Sequence, residues 1–287
     1  MNKFEEFKEA GKELDDLTAE GYYGDDVKKL TANREEMDLN EYLYQSVKLW
    51  IDDKNLYGKD QVKEFISLFL DLYASALKVR TQEVIDVLAV FWKGTSENPG
   101  SEALSAYGEF SRIFTEVKNK IKNVKGREMK LHEKKSFAAD LINTYSKGVE
   151  MVGKILNPCL ALAEISNNNR YDLFNISKLT IYKKTEKFNS LSNNKYTKIT
   201  SFINRYIRNS DAHLSITFKP ELNKFAYKRT VKGKTETEFI GIEEVIFKLL
   251  PSVGWVVQAF IYSSILLIFF FNDKQKYHQL ALEIENA

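Results

Sequence analysis

Arg208, Asn209 and His213 lie close together in the stretch Ile207-Arg208-Asn209-Ser210-Asp211-Ala212-His213. These residue types could cleave RNA without a metal or other cofactor. RNA carries its own nucleophile, the 2′-hydroxyl. Scission needs a base to take that proton, an acid to protonate the leaving 5′-oxygen, and positive charge on the pentacoordinate phosphorus. Histidine exchanges protons near neutral pH. Arginine stays charged and presents a planar fork that fits phosphate oxygens. Arg208 is therefore the candidate phosphate clamp and His213 the candidate general acid/base. Asn209 can hold either one by a hydrogen bond. An Arg followed at this distance by a His is common by chance. The longer pattern Arg-Asn-x-x-Ala-His, closing a helix and followed by strand-like sequence, is more specific. The competing structural role is a solvated Arg208 and a His213 that merely ends a helix.

The element that positions these residues is expected to be a helix from about Lys195. Ile199, Phe202, Ile203 and Tyr206 form its apolar stripe, and Arg205 and Arg208 lie away from it. At about 100° per residue, a continuous helix sets Arg208 and His213 about 140° apart. They can share one phosphate only if the helix ends before His213 or a second chain completes the site. Beyond His213, residues 214–218 are strand-like. Phe225, Tyr227, Arg229 and Val231 then alternate with Ala226, Lys228 and Thr230. Lys232-Gly233-Lys234 reads as a turn into 236–240. This predicts a small β-hairpin inserted after the motif.

The pattern Arg208-Asn209-x-x-Ala212-His213 resembles the signature of the HEPN superfamily, over roughly Arg127 to the C-terminus; nothing in the N-terminal part matches. The resemblance implies a mainly α fold: a HEPN-like helical bundle with a small β-hairpin insertion, preceded by an accessory α-helical domain. It also implies a metal-independent endoribonuclease with Arg208, His213 and Asn209 as catalytic residues, without a cofactor. Many members are metal-independent ribonucleases, several of them in toxin–antitoxin and phage-defence systems. That leads us to expect an RNA substrate, a homodimer and an antitoxin or sensor partner. Other members have lost the pair and only bind RNA or nucleotides or act as scaffolds, so a non-catalytic binding protein is the alternative.

Charge is unevenly spread. The 287 residues carry 42 Lys and Arg against 40 Asp and Glu, for a formal charge of +2. Residues 1–43 hold 13 acidic and 6 basic side chains, whereas residues 178–234 hold 14 basic and 3 acidic. The basic stretch contains the motif, as a polyanionic ligand requires. Arg205, Lys198 and Lys219 are the expected RNA contacts there. The acidic run reads as a solvated helix face. The single cysteine, Cys159, cannot form an internal disulfide, which fits a reducing, cytoplasmic setting. The first residues lack the apolar segment of a secretory signal.

The rest of the chain is expected to be helical. Residues 4–17, 28–51 and 59–80 have helical apolar spacing, and Thr81 is placed to cap a further helix through Trp92. A loop at 94–100 precedes a helix over 105–124. A boundary near Gly126 divides 1–126 from 127–287. A long helix follows, with Phe137, Leu141, Tyr145, Val152 and Ile155 on one face, and Asn157-Pro158 reads as a cap or a kink. A short helix is expected over 175–188. Residues 241–287 return to helix, interrupted at Pro251 and Gly254. Within them 256–271 is nearly all apolar. That run is shorter than the roughly 20 residues a bilayer needs and contains Gln258, Tyr262, Ser263 and Ser264. A buried helix or dimer face is therefore expected in preference to a membrane span, which would make the protein a membrane-acting effector.

Other chemistries have little support. One Cys and the scattered His132, His213 and His278 give no zinc spacing. No phosphate-binding glycine loop or nucleophile elbow is present. Glu116-Val117-Lys118, with Asp86 upstream, faintly resembles metal-dependent restriction-type nucleases. Those sites sit on strands, and this segment reads as helix.

Overall fold

The computed structural model describes residues 4–53, 57–231 and 233–286. The described residues are 74% helical, in eleven helices with one three-stranded antiparallel sheet. In chain order the helices are α1 (Glu5–Ala19), α2 (Asp25–Ala32), α3 (Leu39–Asp52), α4 (Lys59–Lys93), α5 (Leu104–Val124), α6 (Leu131–Ser166), α7 (Leu173–Ser177), α8 (Ile181–Leu191) and α9 (Arg205–Ala212). The sheet follows, as β1 (Thr217–Lys219), β2 (Lys224–Val231) and β3 (Lys234–Gly241). Helices α10 (Ile242–Asn272) and α11 (Lys274–Asn286) close the chain.

Several elements differ from the sequence reading, for local reasons. The helix expected over 28–51 divides into α2 and α3, because Asp38 caps a new start by accepting a 2.8 Å bond from the Glu41 amide. By contrast, the two helices expected over 59–92 both form, joined across a kink within α4. Arg80 there leaves helical geometry at φ −148° and ψ 84°, immediately before the expected cap Thr81. Pro158 lies inside α6 and does not end it. The helix expected over 175–188 is two helices, and Thr180 caps the second through the Lys183 amide. The expected hairpin has a third strand. β1 pairs with β2 through Phe218 opposite Phe225, and β2 pairs with β3 through Ala226 opposite Phe239. The turn joining β2 to β3 has Gly233 at φ 78°; Lys232, which was assigned to that turn, lies outside the described residues. Neither Pro251 nor Gly254 interrupts α10, which runs for 31 residues.

That length matters for the membrane question. α10 is long and apolar enough to cross a bilayer by length and composition, so the argument from a short run fails. However, 61% of its most apolar window is buried against the chain itself. A helix that is apolar all round is what the middle of a helical core requires.

The chain forms two compact units. The first comprises Met1–Gly108, Pro158–Leu173 and Trp255–Ala287, and the second Glu109–Asn157 and Phe174–Gly254. Each draws on separated stretches, so neither coincides with a linear division at residue 126. In the first unit α4 and α10 meet through aromatics: Phe260 lies edge-on to Phe69 at 5.3 Å and to Phe91 at 5.0 Å. Trp50 of α3 meets Tyr262 at 5.0 Å. Ion pairs Lys48–Glu283 (2.8 Å) and Lys276–Glu41 (2.9 Å) tie α3 to α11. Gly58, at φ 85°, starts α4 under the Trp255 indole; a Cβ there would lie 2.1 Å from the ring. In the second unit α6 packs against α5 and α10 at Gly148. A Cβ at that position would meet Val253 at 2.4 Å and Phe110 at 2.9 Å, so only glycine permits the approach.

Candidate active site

The motif helix is much shorter than its apolar spacing suggests. Residues 195–202 form turns, including a 3-10 segment at Thr197–Ile199, residues 203–204 are irregular, and α9 begins only at Arg205. Asn204 sets that start. Its side-chain oxygen accepts from the amides of Tyr206 (3.0 Å) and Ile207 (3.2 Å). Tyr145, buried on α6, fixes the approach: its hydroxyl donates to the Phe202 carbonyl and accepts from the Asn204 amide, both at 2.8 Å. Ile207 is fully buried and anchors α9. Ser210 faces β2, its hydroxyl reaching the Lys228 carbonyl at 3.4 Å.

The far end of α9 is the decisive feature. The helix stops at Ala212, and His213 is its C-cap at φ −104° and ψ 13°. Leu214 then turns left-handed at φ 53°, and the Ser215 amide returns to the Ser210 carbonyl at 2.7 Å. This is the usual left-handed helix stop, with leucine where glycine is preferred. A non-glycine residue there costs roughly 1–2 kcal/mol, and strain of that kind clusters at functional sites. Arg208 and His213 of one chain both border one cleft, while the His213 amide still bonds the Asn209 carbonyl at 3.0 Å, as in a continuing helix.

That cleft has a volume of about 470 Å³. Arg205, Tyr206, Arg208, Asn209 and His213 line it from α9 and its cap, together with Tyr182 of α8. Of the expected RNA contacts, Arg205 lies in the cleft, whereas Lys198 and Lys219 do not. Lys198 is exposed in the 3-10 segment and Lys219 is exposed at the end of β1. Tyr206, assigned to the apolar stripe, is half-buried and faces the cleft instead.

Three charged groups around the motif were not legible beforehand. Glu150 of α6 forms an ion pair with the Arg208 guanidinium, and Arg208 Nη1 donates to Asn209 Oδ1 at 3.1 Å. Both members of the ion pair are more than a third exposed, so it contributes only about 0–1 kcal/mol. A phosphate can therefore displace Glu150 from Arg208 at small cost. Lys184 of α8 is buried and donates to the Gly153 carbonyl at 3.1 Å. Burial lowers its pKa to about 8, although Glu150 acts to raise it. No signal in the local sequence marks Glu150, one glutamate on a long amphipathic helix.

The third group is built around Tyr206. Arg205 Nη2 donates to its hydroxyl at 2.7 Å, and Arg229 of β2 lies 5.2 Å from its ring centroid. The bond from Arg205, and then that from Arg229, hold the phenol below its ordinary range. Arg205 also stacks on Tyr182, 4.1 Å from that ring's centroid. Arg229 is held in turn by Glu238 of β3 at 2.5 Å.

Among the described residues no group of three or more His, Cys, Asp or Glu is placed to hold a metal ion. Glu116, Val117 and Lys118 lie on α5, where Glu116 pairs with Arg112 at 2.9 Å. Comparison with protein-family models, curated proteins and solved structures finds no match to this chain.

Proposed function

We propose that this protein is a metal-independent endoribonuclease that cleaves RNA by attack of the 2′-hydroxyl. The observation that carries the reading is the shared cleft: Arg208, Asn209 and His213 line one concavity. Arg208 binds the scissile phosphate, exchanging Glu150 for phosphate oxygens. Asn209 steadies the guanidinium through its 3.1 Å bond. His213, exposed at the helix end, transfers a proton at the reacting oxygens. Arg205 adds positive charge for the flanking backbone.

By resemblance to HEPN proteins, the protein acts in the cytoplasm as a toxin or abortive-infection effector, under an antitoxin or sensor partner. A homodimer belongs to the same proposal. It rests on that resemblance and on the apolar surface that Ile268, Phe270 and Phe271 leave exposed at the end of α10. The test is incubation of the purified chain with mixed RNA in EDTA. Cleavage should persist and leave 2′,3′-cyclic phosphate ends. Activity that disappears on chelation and returns with Mg²⁺ would overturn the reading.

A further inference from the structure

Scission of RNA moves two protons, one off the 2′-hydroxyl and one onto the leaving 5′-oxygen, and a single imidazole does not carry both in one step. The cleft holds one histidine. The other two lie elsewhere in the chain, His132 near the start of α6 and His278 in α11. We propose that Tyr206 is the second proton-transfer group of this site, acting as general acid on the 5′-oxygen. The inference rests on the ribonuclease reading above and deepens it.

The geometry favours Tyr206 over its neighbours. Arginine only donates hydrogen bonds and keeps its protons at any working pH. Arg205 therefore occupies a lone pair of the Tyr206 oxygen and does not take its proton, and the Arg229 guanidinium lies 5.2 Å from the ring centroid. The same two cations stabilise the phenolate that remains after proton transfer. Tyr182 lacks this arrangement: its hydroxyl is engaged with Glu186, which holds its pKa above the ordinary range. The Lys228 ammonium is engaged with the Thr237 hydroxyl at 3.0 Å. Tyr206 is thus the cleft phenol that neighbouring cations activate.

The step balances. The neutral His213 imidazole takes the 2′-hydroxyl proton as the 2′-oxygen–phosphorus bond forms. The phosphorus–5′-oxygen bond breaks, and the Tyr206 phenol gives its proton to that oxygen. The products are a 2′,3′-cyclic phosphate and a 5′-hydroxyl. Imidazolium and phenolate then return to their starting forms by passing one proton through water.

The test uses the full chain and an RNA whose cut site the wild type defines. A second RNA carries sulfur in place of the 5′-bridging oxygen at that site, because a thiolate leaves without protonation. Tyr206→Phe keeps the ring and removes only the hydroxyl. It should slow the oxygen substrate by about 100-fold or more and restore the sulfur substrate to near the wild-type rate. His213→Ala should not be rescued by sulfur, since it serves the attacking side. Equal losses on both substrates, or no loss on either, would overturn the role of Tyr206 and leave the ribonuclease reading intact. A wild type that cuts neither RNA would overturn that reading itself, and this inference with it. Should the Phe variant fail to fold, 3-fluorotyrosine introduced at position 206 decides. It keeps ring and hydroxyl but is more acidic, so it should change the oxygen-to-sulfur rate ratio. An unchanged ratio would overturn the proposal.

Discussion

Tyr73 and Tyr262 of the first compact unit and Tyr206 of the second have opposite fates. In the first, Tyr73 and Tyr262 are shut into the aromatic packing around α10, and burial pushes both phenols well above their ordinary range. The Cys159 thiol is buried in the same unit and pushed up in the same way. The Tyr73 hydroxyl lies 3.3 Å from that of Ser263. In the second unit Tyr206 sits half-exposed between two guanidinium groups, and its phenol is pulled down. Apolar enclosure disfavours the charged form of any acid, and cations placed at its oxygen favour it. The first arrangement makes a residue inert, and the second prepares it to exchange a proton. Reactive groups are therefore to be sought where charge is arranged on an open surface.

The sharpest way to break this contrast is to damage each unit separately. Phe69→Ala removes a fully buried ring from the first unit and should cost about 3–5 kcal/mol of stability. Denaturant unfolding would measure it. Below the unfolding transition, RNA cleavage per folded molecule should remain at the wild-type level. A loss of cleavage in fully folded protein would show that the two units do not divide structure and chemistry as described.

Lys184 tests the contrast inside the second unit, since it is a cation held by burial. Its folded pKa, about 8, lies below its ordinary value near 10.5. The unfolded chain therefore binds more protons between those values, and Lys184 makes stability rise with pH across that window. Below about pH 8 the cost of burying the charge is fully present. Lys184→Met should stabilise the protein at pH 7 by about 1–3 kcal/mol. The gain should shrink as pH climbs from about 8 towards 10.5. Melting curves of both proteins across that range would show it, and a constant difference would contradict the burial argument.

The smallest effect concerns Glu150. Glu150→Gln releases Arg208 from an exposed ion pair and should tighten RNA binding by at most about five-fold. Titration of labelled RNA would measure this, and weaker binding by the variant would mean that Glu150 positions Arg208 for phosphate.

How far the sequence could be read follows the range of the interactions involved. The helices of the first unit show in apolar spacing because each buries one continuous face, and even the kink beside Thr81 leaves a local signal. The Arg208, Asn209 and His213 cluster was legible because its residues are neighbours in the chain. The start of α9 was not, since Ile199 and Phe202 keep helical spacing in segments that are not α-helical. Asn204 and the distant Tyr145 set that boundary. Tyr206 was read as apolar because its partners Arg205 and Arg229 meet only once β2 is placed beside α9. Glu150 and Lys184 lie far from the motif in sequence, and no local pattern marks them.

The central claim is that Arg208 and His213 do chemistry as well as bind, and one comparison tests it most directly. Wild type, His213→Ala and Arg208→Ala are assayed side by side in EDTA for both RNA affinity and cleavage. The account predicts that both variants lose cleavage by about 100-fold or more. RNA affinity should change little, because the surrounding lysines and arginines supply the phosphate contacts, and binding by all three should weaken steeply with salt. A His213→Ala protein that cleaves at the wild-type rate would contradict the account.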